Sequence, residues 1–587
     1  MKRMFLLFSL FFVLLVSSVY SQTLADYVKA TRGDTLIVKD DADFGKPNAL
    51  YLLLQADTVN VPAGRVYMLR KDGYYSLVNN PTSSTKRKVI IMGEDNSSLK
   101  TRTEKAAPPI VCGATGEGIN TTGGMSSGKD LVVKNANLVI GNINATMGWN
   151  FFGFQGANTR LTVENCIIEH TQWIQVNPGA GTTTFIKNCY MLNTVGHACR
   201  RNGGIIDFFS SPDTVWSENN THVWSQGLQY KSRTGYTMKR WVFNHDTFVN
   251  ISNLVFMNRG EVGNVSMTNN IFINSNIQGA SGVAKIDDGE NDPGDLGMGI
   301  VNTFDNAAFQ TNGGKYYIDR NLIYWDPTFN DYITTLNTNK VNKITNWKNQ
   351  MVKYNSRTKA MFDDNVKYPY LTEGTWIEGK LPKFVKTADL LSAAQIAKLK
   401  TYSLATVDTT STAVLVDWRQ PGNDAKTYYT YADWPLPINL SYTDTDLLTA
   451  GLNGFPLGDL GWFPTQYKNW LAQRDKEYAS IHTVLTTGKL TDVQKTEGLP
   501  VAFQLDQNYP NPFNPSTVIN FSVPKAGNVT LKVYNAVGQE VATLVDGFKD
   551  ASNYKVTFDA SKLASGIYFY SLNAGNFTQT KKMMLVK

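Results

Sequence analysis

Between residues 130 and 276 one pattern of apolar and polar positions recurs: a short alternating apolar run, an asparagine, then a second apolar run. The copies read LVVKNANLVI, LTVENCIIEH, TFIKNCYMLN, TVWSENNTHV, KRWVFNHDTF and VSMTNNIFIN. Their pivots are Asn135, Asn165, Asn188, Asn219, Asn244 and Asn269, separated by 30, 23, 31, 25 and 25 residues. Apolar residues at alternate positions, many of them β-branched or aromatic, predict strands. A repeat of this length means stacked units, none of which can bury its apolar face alone. Strands and repeat together predict a parallel β-helix, in which one period of chain makes one coil. The pivot side chains then stack along the axis at the roughly 4.8 Å strand spacing, within hydrogen-bonding reach of one another. A two-layer sandwich whose turns happen to carry asparagine is the competing arrangement.

Each period divides into three short strands, with the pivot at the turn between the second and third. The first strands are WIQVN (173–177), IIDFF (205–209), LQYKSR (228–233), LVFMN (254–258) and VAKID (283–287). Alternation sends Ile174, Val176, Ile206, Phe208, Leu228, Tyr230 and Phe256 inward. The outward set is Trp173, Gln175, Asp207, Phe209, Gln229, Lys231 and Arg233, with Arg259 just beyond the fourth strand. At its pivot turn the repeat resembles the asparagine ladder of pectate-lyase-like right-handed β-helix proteins. The resemblance is one of fold. It implies a right-handed parallel β-helix and a groove along the outward row, where such proteins hold polysaccharide.

Strand-like runs begin earlier, in DTLIVKDDADF, VYMLRKDGYYSLVN, RKVIIMGEDN and APPIVCGA. The β-helix is therefore expected over residues 23–330, with residues 23–36 capping an end that would otherwise expose apolar core and strand edges. Asn321, in YYIDRNLIYWD, marks one more coil. From Asp287 the period breaks at an acidic loop, KIDDGENDPGD. Residues 331–490 read as an irregular segment with helices that pack on the β-helix. One helix is predicted over 387–402, with Leu390, Leu391, Ile396 and Leu399 on its apolar side, and another over 464–483, with Pro464 near its start. Between them GFPLGDLGWFP (454–464) is expected to pack over the last coil.

The C-terminal residues 503–587 change character again. VINFSV, VTLKVYN, EVATLV, YKVTFD, IYFYSL and TKKMMLV are six alternating runs. Gly538, Gly547, Gly566 and Gly575, with the Asn511-Pro512 and Asn514-Pro515 pairs, supply turns, so a small β-sandwich follows a linker at 491–502. From FQLDQNYPNPFNPSTVINFSVP onward the segment resembles the C-terminal type A sorting domain of type IX secretion cargo. The resemblance implies recognition by the type IX secretion machinery and passage across the outer membrane of a Gram-negative bacterium, to the medium or the cell surface. Residues 1–22 read as a signal peptide: Lys2 and Arg3 precede an apolar run over 4–16, and Ser17 and Ser18 lead to cleavage before Gln22. A membrane anchor would need a longer apolar span, so the mature chain is expected to have none.

Length and composition fit this reading. A chain of 587 residues should hold two or three domains, and 12% aromatic against 18% charged residues suits a folded, strand-rich exported protein. The net charge of +7 favours anionic partners mildly, but it is spread along the chain with no nucleic-acid motif, which excludes DNA or RNA as a partner. Four cysteines cannot form a disulfide scaffold. Cys166 and Cys189 each follow a pivot, so they lie on neighbouring coils within disulfide range, either bridged or as two stacked buried thiols.

Two functions remain open. A lyase acting on uronate polysaccharide needs a Lys or Arg to take the proton α to the carboxylate, and a metal or basic groups to neutralise that carboxylate. Lys231 and Arg233 lie on the right face for the base, with Arg259 or Arg240 for charge, and Trp173, Gln175, Asp207, Phe209, Gln229 and Arg259 for substrate binding. As a solvated basic patch, Lys231 and Arg233 would have no such role. Calcium, the cofactor such a lyase would use, needs clustered oxygens. The face offers Asp207, with Glu218 and Glu261 near its turns. Asp287, Asp288, Glu290, Asp292 and Asp295 lack the spacing of a calcium loop and read as a solvated one. A hydrolase needs paired carboxylates about 5 to 10 Å apart, and neighbouring coils offer no such pair. His170, His197, His222 and His245 are too dispersed for zinc and read as structural; only His222 and His245 come near equivalent coil positions. The second function is a non-catalytic surface protein that binds glycan, since amides and aromatic rings suit sugar hydroxyls and ring faces without any proton-transfer group. Fold alone does not choose between them.

Overall fold

The structure, a computed structural model, describes the chain apart from residues 1–22, 78–81, 83–85, 95–106, 114–123, 140–149, 154–155, 170–173, 195–203, 226, 228, 260, 278–298, 332–333, 336–337, 339–350, 388, 406–433, 490–492, 497–501, 526, 550–551 and 576. Two long sheets, of twelve and ten strands, dominate it. From Val66–Leu69 and Tyr74–Leu77 to Leu371–Glu373 and Trp376–Glu378 the chain places one strand in the first sheet, then one in the second, coil after coil. Each strand pairs in parallel with the strand one circuit earlier. A third sheet covers the middle coils: Ile174–Val176, Gly204–Asp207, Tyr230–Lys231 and Phe256–Met257, again parallel. Single bridges from Met125 to Phe152 to Val176, and from Val301 to Tyr354, extend that third side in both directions. The molecule is mainly β, built as a parallel solenoid with few helices.

The pivots lie in single file, with one correction. The residue that turns each coil from the first sheet to the second has a positive φ: Asn135, Asn165, Asn188, Asn219, His245, Asn269 and Arg320, all between 53° and 61°. Asparagine visits this left-handed region because its short polar side chain bonds locally. In the fifth coil the turn residue is His245. Asn244 is the last strand residue, opposite Glu218 and Thr268. Two asparagine–asparagine bonds link neighbouring coils here, from Asn165 to Asn135 at 3.2 Å and from Asn269 to Asn244 at 2.8 Å.

The continuous ladder runs one residue further on and faces inward. There Asn220 accepts from the backbone N–H of Cys189, Asp246 from that of Asn220, Asn270 from that of Asp246, and Asn321 from that of Asn270, at 2.8 to 3.0 Å. The Asn220 and Asn321 amides donate back to the Ile186 and Met267 carbonyls. A polar file inside an apolar solenoid survives only when its members are paired in this way. Cys166 and Cys189 occupy the same file in earlier coils, as two unbridged buried thiols.

Three expected boundaries shift. The sheets continue past residue 330 to Glu378, because the insertion between Tyr324 and Leu371 interrupts the period without ending the coil. The cap includes the helix Ala49–Ala56, whose Leu50, Leu53 and Leu54 bury against Tyr27, Leu36 and Tyr75. Val493–Thr496 pairs with Ser552–Asp559, so the expected linker contributes a strand to the terminal sandwich.

The segment 454–464 does not lie over the last coil. Leu457, Trp462 and Phe463 pack on Ile167, Tyr190, Leu192, Val223, Val249 and Ile271, along the outer side of the second sheet. Strands there are apolar on both faces: Tyr190 and Leu192 face the strap while Met191 faces the interior core. Such continuous apolar runs mark a sheet covered on both sides. The helix predicted over 387–402 occupies Ala393–Ala405, and the second runs Pro464–Thr487, ended by Gly488 at φ 66°. The terminal sandwich consists of two four-stranded antiparallel sheets around Phe521, Leu531, Tyr570 and Leu572.

Candidate functional site

The third sheet carries the residues singled out for chemistry. Its register places Val176, Ile206, Tyr230 and Phe256 level with one another, with all four in the interior core. Asp207, Lys231 and Met257 form the next row. Two residues further along, Phe209, Arg233 and Arg259 occupy equivalent positions on successive coils. The hydrogen bond from Asn258 N–H to the Asn302 carbonyl and the Val301–Tyr354 bridge continue that register to Phe304 and Arg357. These five residues make one half-buried file, one residue per coil.

The file is held by stacking and fixed hydrogen bonds. The Arg233 guanidinium lies 3.9 Å from the Phe209 ring centre. It donates to both Asp207 oxygens, Nε to Oδ1 at 2.7 Å and Nη2 to Oδ2 at 2.6 Å. This two-pronged geometry fixes the plane of the cation. Arg259 and Arg357 flank Phe304 at 5.4 and 3.6 Å. Arg259 Nε donates to Thr234 Oγ1, while Arg357 donates to the Thr303 carbonyl and to Asn302 Oδ1. Guanidinium groups over aromatic faces are attracted by the ring quadrupole, by about 0.5 to 2 kcal/mol each.

Other expected members take different places. Gln175 and Gln229 are fully buried, their amides donating to the Ile168 and Gly227 carbonyls, so they do not line an open groove. Asp207 and Lys231 are 4% and 3% exposed. Trp173 and the strand at 283–287 lie outside the described residues, as do Leu228, His170, His197 and the acidic loop from Asp287 to Asp295. Arg240 belongs to the first sheet, opposite Thr214 and Asn264, and does not join the row. Phe304 and Arg357 were missed because they follow the point where the period breaks.

Among the described residues the carboxylates do not converge on this face. Glu218 sits at a pivot turn, where Arg474 donates to it at 2.9 and 2.6 Å, Tyr478 at 2.6 Å and Trp216 at 3.1 Å. Glu261 is buried just before the strand Val262–Thr268. Among the described residues no group of three or more His, Cys, Asp or Glu is placed to hold a metal ion. His222 and His245 are not equivalent: His222 stacks on Phe248 at 4.2 Å inside the coil, whereas His245 is a pivot 3.6 Å from Glu477. Glu477 anchors the long helix to the pivots. Burial opposes its ionised form, but the nearby His245 imidazole and the hydrogen bonds donated by Asn244 and Trp470 prevail and hold the carboxyl below the usual range.

Residues 507–587 match the Secretion system C-terminal sorting domain family. It is a secreted or cell-surface protein. The sorting tail makes the chain cargo of type IX secretion and the secretion machinery its partner. No curated protein and no solved structure matches the chain. Among the described residues no helix is long and apolar enough to cross a membrane.

Proposed function

We propose that the exported solenoid is a right-handed parallel β-helix of the pectate-lyase-like kind that binds acidic polysaccharide along its third sheet. Parallel crossovers are right-handed in nearly all known sheets, which supports the hand. The observation that carries the function is the file Phe209, Arg233, Arg259, Phe304 and Arg357. It offers two aromatic faces and the cations Arg259 and Arg357, with Arg233 held in an ion pair by Asp207, one residue per coil at the roughly 4.8 Å strand spacing. Carboxylates along a glycan meet guanidinium forks, and sugar rings meet the exposed edges of the aromatic stack. Binding is favoured over cleavage because Arg233 is committed to Asp207.

A second reading, uronate lyase, keeps one specific support: Lys231 lies in register with Asp207, two residues from Arg233 on the same strand. The two readings separate in one experiment. The mature chain is run through gels containing uronic-acid or neutral polysaccharides, and the same mixtures are followed near the unsaturated-uronate absorbance band. Binding predicts retardation by the acidic polymers, weakened by Arg259→Ala with Arg357→Ala, and no absorbance rise. A rise lost in Lys231→Ala establishes the lyase. Equal mobility in every gel with no product ends both.

A further inference from the structure

A second site lies on a different part of the molecule and rests on different observations. A cleft of about 630 Å³ opens between the long helix Pro464–Thr487, the turn at 453–455 and the strand Glu540–Lys549 of the terminal sandwich. Its helical wall is made by Gln466, Asn469, Gln473, Lys476 and Ser480, spaced three and four apart and therefore on one helix face, and Lys476 is balanced by Asp546 across the cleft lining, so the site carries no net charge. Phe455 and Phe548 add two rings, and Asp546 is its one carboxylate. Asn453 donates to Gln473 Oε1 at 3.0 Å, which holds one amide in place. The Phe548 ring packs on Gly454, close enough that a side chain there would meet its Cδ1 at 2.8 Å. The two parts of the chain thus meet at the base of the cleft, while Phe548 stays 36% exposed.

We infer that this cleft binds a neutral hexopyranose unit. Carboxamides both donate and accept, as sugar hydroxyls do, and a row of them can satisfy several hydroxyls without a formal charge. An aromatic face covers the C–H side of a pyranose ring, and the cleft volume lies in the range of small-ligand sites. One carboxylate does not make the acid–base pair that glycoside hydrolysis requires, so the site binds and does not cleave. The long helix and the terminal sandwich each supply part of the wall, so binding belongs to the chain that still carries its sorting domain.

The test is saturation-transfer NMR on the full mature chain with glucose, galactose and mannose as probes. The inference predicts transfer to ring protons of at least one hexose, reduced roughly five- to tenfold by Phe548→Ala or Gln473→Leu, as expected from losing one stacking face or one half-buried hydrogen-bonding group. Arg259→Ala, on the third sheet, leaves the transfer unchanged, so failure here and failure of the polysaccharide reading are distinct results. Absence of transfer from all three hexoses overturns the inference, as does transfer undiminished in both cleft variants.

Discussion

The second and third sheets belong to the same coils, yet their outer sides have opposite fates. On the second sheet Tyr190, Leu192, Val223, Val249 and Ile271 face outward, and the chain covers them with Leu457, Trp462 and Phe463. On the third sheet the outward file is aromatic and cationic, and it stays half-buried under no such strap among the described residues. Interior positions of a solenoid are dictated by the need to stack apolar layers. Outward positions are not, so they divide into faces the chain closes on itself and faces left for a partner.

Substitutions on the two faces should therefore separate stability from binding. The largest effect is expected under the strap. Leu457→Ala leaves a cavity at a fully buried site and should destabilise the chain by about 2 to 5 kcal/mol in denaturant unfolding. A loss below about 1 kcal/mol would mean that the strap is only loosely seated.

Next comes the inner ladder. Asn270→Ala orphans the Asp246 N–H and the Asn321 carboxamide oxygen loses one of its two donors, an expected cost of about 1 to 3 kcal/mol. Asn165→Ala, whose bond to Asn135 is partly exposed, should cost less than half as much by the same measurement. Equal losses would erase the distinction between the inner file and the pivots.

A smaller effect depends on pH. Glu477 is held below the usual carboxylate range in the folded chain. Its contribution is therefore present above the ordinary Glu value of about 4.3 and is lost as pH falls through the lower folded value. The protection of residues 464–487, taken relative to intrinsic exchange at each pH, should fall below that range, and Glu477→Gln should flatten the dependence. Protection that does not change with pH in the parent chain would contradict the clamp.

The smallest effect on stability is expected at Arg259→Ala, within about 1 kcal/mol because the side chain is half exposed. The same change should weaken retention by acidic polysaccharide. Loss of fold without loss of retention would reverse the comparison.

How much of this was readable follows from the same division. The period announced the strands, the pivots and the sandwich, since alternation and turn residues are local signals. The fifth pivot slipped because Asn244 precedes His245, and counting asparagines cannot tell the strand end from the turn. Alternation sends Gln175 and Gln229 outward, yet they lie level with Ile205 and Val255 of the interior core and turn their amides to backbone carbonyls; alternation fails where a short strand meets its turn. Phe304 and Arg357 enter the file only through backbone bonds across an interrupted period. The strap's place on the second sheet depends on which outward rows are apolar in three dimensions, beyond what a single window of sequence displays.

The most direct test is hydrogen exchange of the full mature chain with and without an acidic polysaccharide. Slowed exchange confined to 204–209, 230–234, 256–259, 301–304 and 354–357, with none at 190–194 or 221–225 on the strapped side, is the predicted footprint. Protection on the strapped side, or none on either, would contradict the assignment of the third sheet as the partner face.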